Sequence, residues 1–172
     1  MLLQLLIVAV LMTAIGISFG LNVLAPRNIE GVPEELGGMK LASFTDGEQA
    51  LAQISQLHGT SIELVNAYIA SYSHDFNPYH NDDSQVTVWA GKTGNKDEAV
   101  KLTERMSEAI KRGDSPFSNL QQLTLDGHEV FQVTGPSGEH FFYVSPKTDM
   151  VIWLTIKAPT ARYILQESFE NF

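Results

Sequence analysis

The sequence predicts an α+β fold: an N-terminal single transmembrane helix followed by one mostly antiparallel sheet packed with about three helices. Three observations carry this. Residues 1–25 are almost wholly apolar and hold no Asp, Glu, Lys, Arg or His. Beyond them, stretches with helical apolar spacing begin at polar caps and end at glycines. Between these lie β-branched and aromatic runs joined by tight turns. The expected organisation is a membrane helix over 1–25, a linker over 26–38 and a soluble α+β domain over 39–172.

The first segment is interrupted only by Gln4, Thr13, Ser18 and Asn22 between Leu2 and Leu24. About 20 apolar residues at a rise of about 1.5 Å cross a hydrocarbon core of roughly 30 Å. No basic residue precedes the run, the run is long, and no small-x-small cleavage site follows it, so it reads as a retained anchor rather than a signal peptide. Ala9, Thr13, Gly16 and Gly20 fall on one helical face, the spacing by which small residues let helices approach closely in lipid. The expected partners are therefore other membrane protein subunits, met through this helix and through the soluble domain, together with the lipid bilayer. The flank carrying Arg27, Glu30, Glu34, Glu35 and Lys40 lacks the basic excess of cytoplasmic flanks. The domain is accordingly expected on the extracytoplasmic side.

Pro26, Pro33 and Gly37-Gly38 mark the linker. Thr45 and Glu48 have capping-box spacing, and Ala50, Leu51, Ile54 and Leu57 continue as a helical stripe to Gly59. Strands are expected over 62–73 and 85–91. Asn95 and Glu98 open a second helix, with Ala99, Leu102, Met106, Ala109 and Ile110 on one face and Gly113 as its stop. After a loop over 115–119, strands are expected over 120–125, 129–134, 140–144 and 151–156. Asp126-Gly127 makes a hairpin turn between the first two. Pro159 suits the first turn of a last helix whose core face is Ala161, Ile164, Leu165, Phe169 and Phe172. Short hairpin connections make such a sheet antiparallel.

The stretch from His140 to Phe172, a hairpin rising into the aromatic-centred strand Val151-Ile152-Trp153-Leu154 and then a helix, resembles the end of the Mog1/PsbP-like fold. The resemblance covers the C-terminal part of the chain. It implies a non-enzymatic accessory protein of a membrane complex and carries over no functional residue.

The formal charge of −9 falls entirely on residues 26–172. An acidic surface of this kind disfavours nucleic acid and docking on anionic lipid. The absence of cysteine excludes disulfides, thiolate metal sites and a thiol nucleophile. No nucleophile elbow, phosphate loop or dinucleotide fingerprint is present, so neither enzyme activity nor a cofactor is expected. The most polar window, 73–83, holds His74, Asp75, His80, Asp82 and Asp83. These are ligand types for zinc or another divalent ion, but their spacing is that of a solvated hairpin loop built round Pro78. Trp89 and Trp153 are centred in strands and read as core. His140, among aromatics in its strand, reads as structural rather than as a catalytic base. The expected function is a non-enzymatic membrane-anchored accessory or interaction subunit of a larger membrane assembly, the alternative being an envelope module that binds a ligand or metal.

Overall fold

The computed structural model describes residues 31–58, 62–74 and 83–172. Its elements in chain order are β1 (Glu35–Leu36), β2 (Met39–Asp46), α1 (Gly47–His58), β3 (Asn66–Ser73), β4 (Gln85–Lys92), α2 (Lys96–Arg112), β5 (Ser118–Leu125), β6 (His128–Gly135), β7 (Gly138–Val144), β8 (Met150–Lys157) and α3 (Ala161–Asn171). The strands form one eight-stranded sheet in the order β1-β2-β3-β4-β8-β7-β6-β5. Every neighbouring pair is antiparallel.

Local chemistry accounts for most of these elements. Asn95 Oδ1 accepts from the Glu98 N–H at 3.0 Å, and Glu98 Oε2 accepts from the Gly94 N–H at 2.9 Å. This satisfies donors that a helix start leaves without partners. Gly113 closes the same helix at φ 78°, its N–H bonded to the Ile110 carbonyl. Asp126 and Gly127, both at positive φ, make the primed turn that suits the strand twist between β5 and β6.

Side chains alternate across the sheet and divide its apolar residues between two layers. On one face, Tyr68, Tyr72, Val86, Val88, Ile152 and Leu154 pack under Ile164, Leu165 and Phe169 of α3. On the other, Ala50 and Ile54 of α1 cover Ala67 and Ile69. Ile110 of α2 covers Phe131 and Phe142, and Ala99 and Leu102 cover Val151. The result is three layers, with α3 alone on one side and α1 and α2 on the other.

The structure corrects the expected fold class and its membrane character. Among the described residues no helix is long and apolar enough to cross a membrane. The longest, α2, has 17 residues, and charged side chains such as Asp97, Glu98, Lys101, Glu104 and Arg105 cover its outer face. It packs on a sheet, where a span would need about 20 apolar residues. The fold of the described residues is therefore an antiparallel eight-stranded sheet with three helices. Residues 1–25, with the Ala9, Thr13, Gly16 and Gly20 stripe, lie outside the described residues.

Two further differences concern 31–46. Residues 26–38 read as linker, yet Val32 and Leu36 are buried in the α3-side core and Leu36 pairs with Met39. Tyr72 donates to the Pro33 carbonyl at 3.0 Å, and the Gly37 N–H donates to Glu167 Oε2 at 3.0 Å. The chain here is held by partners distant in sequence, which turn residues alone do not disclose. Thr45, read with Glu48 as a capping box, instead lies in strand β2 opposite Ile69, and Asp46 ends that strand opposite Tyr68.

Gly37 and Gly38 separate two costs. Both have left-handed backbones, at φ 62° and 75°, but a Cβ on Gly37 would lie 2.5 Å from Ile164 Cγ1 while one on Gly38 meets nothing. Gly38→Ala bears only the left-handed penalty, about 1 kcal/mol. Gly37→Ala adds overpacking against α3, for a total of about 3 kcal/mol. Urea denaturation midpoints of the two variants should differ in that order.

Candidate functional site

The face of the sheet that bears α1 and α2 is organised in cross-strand rows. Register places Ile69, Trp89, Trp153, Phe142 and Phe131 in one row. Ser71, Thr87, Thr155, His140 and Val133 form the next. Phe131 stacks on Phe142 with centroids 4.9 Å apart, and Phe142 stacks on Trp153 at 5.2 Å with planes 4° apart. Such pairs contribute about 0.5–1.5 kcal/mol each beyond their burial. Ile62 and Leu64 fill the space between α1 and α2 at one end of this face. Further along, Trp89, Trp153, Thr87 and Thr155 are only half-buried. They form a half-buried patch beside Phe117, which leans on Trp153 at 4.7 Å.

In the adjoining row His140 is 2% exposed. Its Nε2 lies 2.7 Å from the Pro136 carbonyl oxygen and its Nδ1 3.2 Å from Thr155 Oγ1. A carbonyl can only accept, so Nε2 carries the proton and Nδ1 accepts from the threonine hydroxyl. Burial pushes the imidazole pKa below its ordinary value, opposed in part by the Pro136 bond. The ring is neutral, edge-on to Phe117 at 4.9 Å, and both nitrogens are engaged. It acts as a brace between the β6–β7 turn and β8.

The other candidates are dispersed. His74 and Asp83, at the two ends of the polar loop, are both exposed. Asp83 Oδ2 lies 3.8 Å from Lys157 Nζ, an exposed pair that contributes little. Asp75, His80 and Asp82 lie outside the described residues. Among the described residues no three His, Cys, Asp or Glu side chains come together as a metal site would require. His128 packs on Phe169 at 4.7 Å. An open groove beside α2 sets Glu63, Glu98, Glu104 and Glu108 among Lys101 and Arg105, the mixed charge of a solvated helix face.

The two sheet edges differ. Beyond β2 the outer strand β1 carries Glu35, paired with Lys40, and charge of this kind protects an edge from stray pairing. At the opposite edge β5, Ser118-Asn-Leu-Gln-Gln-Leu-Thr-Leu125, has no charged residue, and all but Leu120 and Leu125 are exposed. No strand pairs with its outer side among the described residues. Sequence reasoning placed a strand here but not an edge, because position in a sheet depends on non-local pairing. The signal that was available is the lack of charge in an otherwise acidic chain.

Comparison with protein families, with curated proteins and with solved structures finds no match in any of the three.

The His140 geometry fixes a pH dependence. The folded pKa is lowered from 6.5, so below that pH the unfolded chain takes up a proton that the native state refuses. The contribution is complete above pH 6.5 and is lost as pH falls from there toward the folded pKa. Between pH 7.5 and 5.5, roughly, wild-type stability should fall more than that of His140→Gln in urea titrations. Parallel losses would contradict a buried neutral imidazole.

Proposed function

We propose that this domain is a non-enzymatic interaction module, an accessory subunit that offers the β5 edge to an extended segment of a partner protein. The observation that carries the reading is the neutral, exposed outer strand. Strand addition supplies main-chain hydrogen bonds for affinity, and alternate side chains confer specificity. The state of the polar groups supports the same reading. Among the described residues no buried side-chain nitrogen or oxygen lacks a partner. His140, Thr155, Tyr143 and Ser168 bond to one another or to backbone, as groups that hold a scaffold do.

A second reading, a ligand-binding module, is favoured by this half-buried patch. Half-buried Trp89 and Trp153 beside Thr87 and Thr155 combine apolar surface with hydroxyls suited to a small planar molecule.

A photo-crosslinking side chain at Gln122, in the full chain in its native cells, tests the first reading. The expected result is covalent capture of a polypeptide at Gln122 and none from the same probe at Gln56 on the exposed side of α1. Equal or absent capture at the two positions would remove the interaction reading.

A further inference from the structure

We propose that the strand seated on β5 is that of a second copy of this chain, paired antiparallel about a two-fold axis at Leu123. This deepens the interaction reading above and rests on it.

The hydrogen-bonding direction along β5 follows from its hairpin. Asp126 and Gly127, at φ 51° and 82°, form a two-residue turn closed by the Leu125↔His128 pair. That closing pair bonds inward, and direction alternates along the strand. Leu125, Leu123 and Gln121 therefore spend their backbone groups on β6, while the N–H and C=O of Thr124 and Gln122 point to the open side. Two outward residues spaced by two have one symmetric solution. A two-fold axis at Leu123 sets Gln122 opposite Thr124 of the second copy, and Thr124 opposite its Gln122. Each of these pairs exchanges both of its bonds. Leu123 then faces Leu123 of the other copy as a non-hydrogen-bonded pair, the arrangement that brings side chains closest.

The side chains agree with this register. Leu123 pairs with Val130, so it lies on the α3 side with buried Leu125 and Val130. It is nevertheless 37% exposed, among only four large hydrophobic residues of the described chain that are so open. Contact between the two leucines would continue the α3-side core across the axis. The charge pattern is compatible with the same occupant. Two chains of formal charge −9 repel, which disfavours contact through acidic surfaces and favours an uncharged one. Strand β5 has no charged residue from Ser118 to Leu125, whereas the opposite edge carries Glu35, Lys40 and Asp46.

The geometry also limits growth. The register shift between Ser118 and Gln121, with Asn119 at φ 52°, bends the strand and confines regular pairing to Gln121–Leu125. An isologous contact uses the same edge on both copies, so a pair closes with its charged edges outward. A ladder of this length is a small interface, so the dimer is weak and concentration-dependent.

The chain has no cysteine, so Leu123→Cys introduces a single thiol. Across a non-hydrogen-bonded antiparallel pair, Cα atoms about 4.5 Å apart lie within disulfide reach. Under mild oxidation the purified full-length Leu123→Cys chain is expected to form a covalent dimer. Tyr163→Cys on α3 and Val100→Cys on α2, at sites 62% and 41% exposed, are expected to stay monomeric under the same conditions. Gln122→Pro removes an outward N–H without touching the β5–β6 ladder. It should weaken self-association in sedimentation equilibrium by about tenfold or more, with an unchanged circular dichroism spectrum. Leu123→Cys crosslinking no faster than the two control sites overturns the second-copy proposal, as does self-association undiminished in Gln122→Pro. If the Gln122 photoprobe captures other proteins while Leu123→Cys does not self-link, the interaction reading stands and the dimer falls. If neither reagent captures a polypeptide, both fall.

Discussion

The pairing of β4 with β8 is the constraint on which the rest of this molecule depends. Strands β1 to β4 form one antiparallel run and β5 to β8 another, and the two meet only at this seam. Its register is continuous from Gln85↔Lys157 to Lys92↔Met150. On the α3 side, Val86, Val88 and Ala90 oppose Ile156, Leu154 and Ile152, all buried. Full burial of each aliphatic side chain stabilises by about 1.5–3 kcal/mol, so the seam ranks among the strongest local contributions to the fold. On the other side Trp89 opposes Trp153. Helix α2 can cross from the end of β4 to the far edge only because β8 and β7 already lie beneath it.

That seam also determines what is left over. With β4 and β8 joined, the sheet interior is satisfied and two outer strands remain. One is short, charged and tied to α3 through the Gly37 to Glu167 bond. The other, β5, is long, neutral and bent by a bulge near its start. Several polar side chains hold the frame together. His140 braces β8 to a turn, Tyr143 and Ser168 bond between sheet and α3, and Thr93 bonds to the Asp149 carbonyl. The proposed role of contact rests on the exposed, uncharged β5 edge.

What could be read beforehand follows the range of the interactions involved. Helix α2 was legible because its limits are local: Asn95 and Glu98 cap each other within one turn, and Gly113 stops the helix within its own backbone. The β5–β6 hairpin was legible from Asp126-Gly127 for the same reason. Strand β2 was not, since Met39–Asp46 lacks clean alternation and is ordered by pairing with β3. The segment over 26–38 has the composition of a linker, and only the fold shows Val32 and Leu36 under α3. The apolar run over 1–25 invited a membrane reading from composition, whereas the helices described here are shaped by packing on the sheet. At the site, Trp89 and Trp153 were recognisable as strand residues, but their placement side by side, half-buried, arises from the seam. The neutral state of His140 follows from burial, while its ring is oriented by Pro136 and by Thr155 of the neighbouring strand, and the second of these contacts is fixed only by register.

Native-state hydrogen exchange, resolved by residue, tests the seam most directly. If β4 and β8 hold two runs in one cooperative unit, their amides exchange slowest. Those of β3 and β7 should then share the same opening free energy, rising and falling together with denaturant. Protection that persists through β5 to β8 while β1 to β4 exchange by a separate, lower-energy opening would contradict the account, because it would show two units that merely abut.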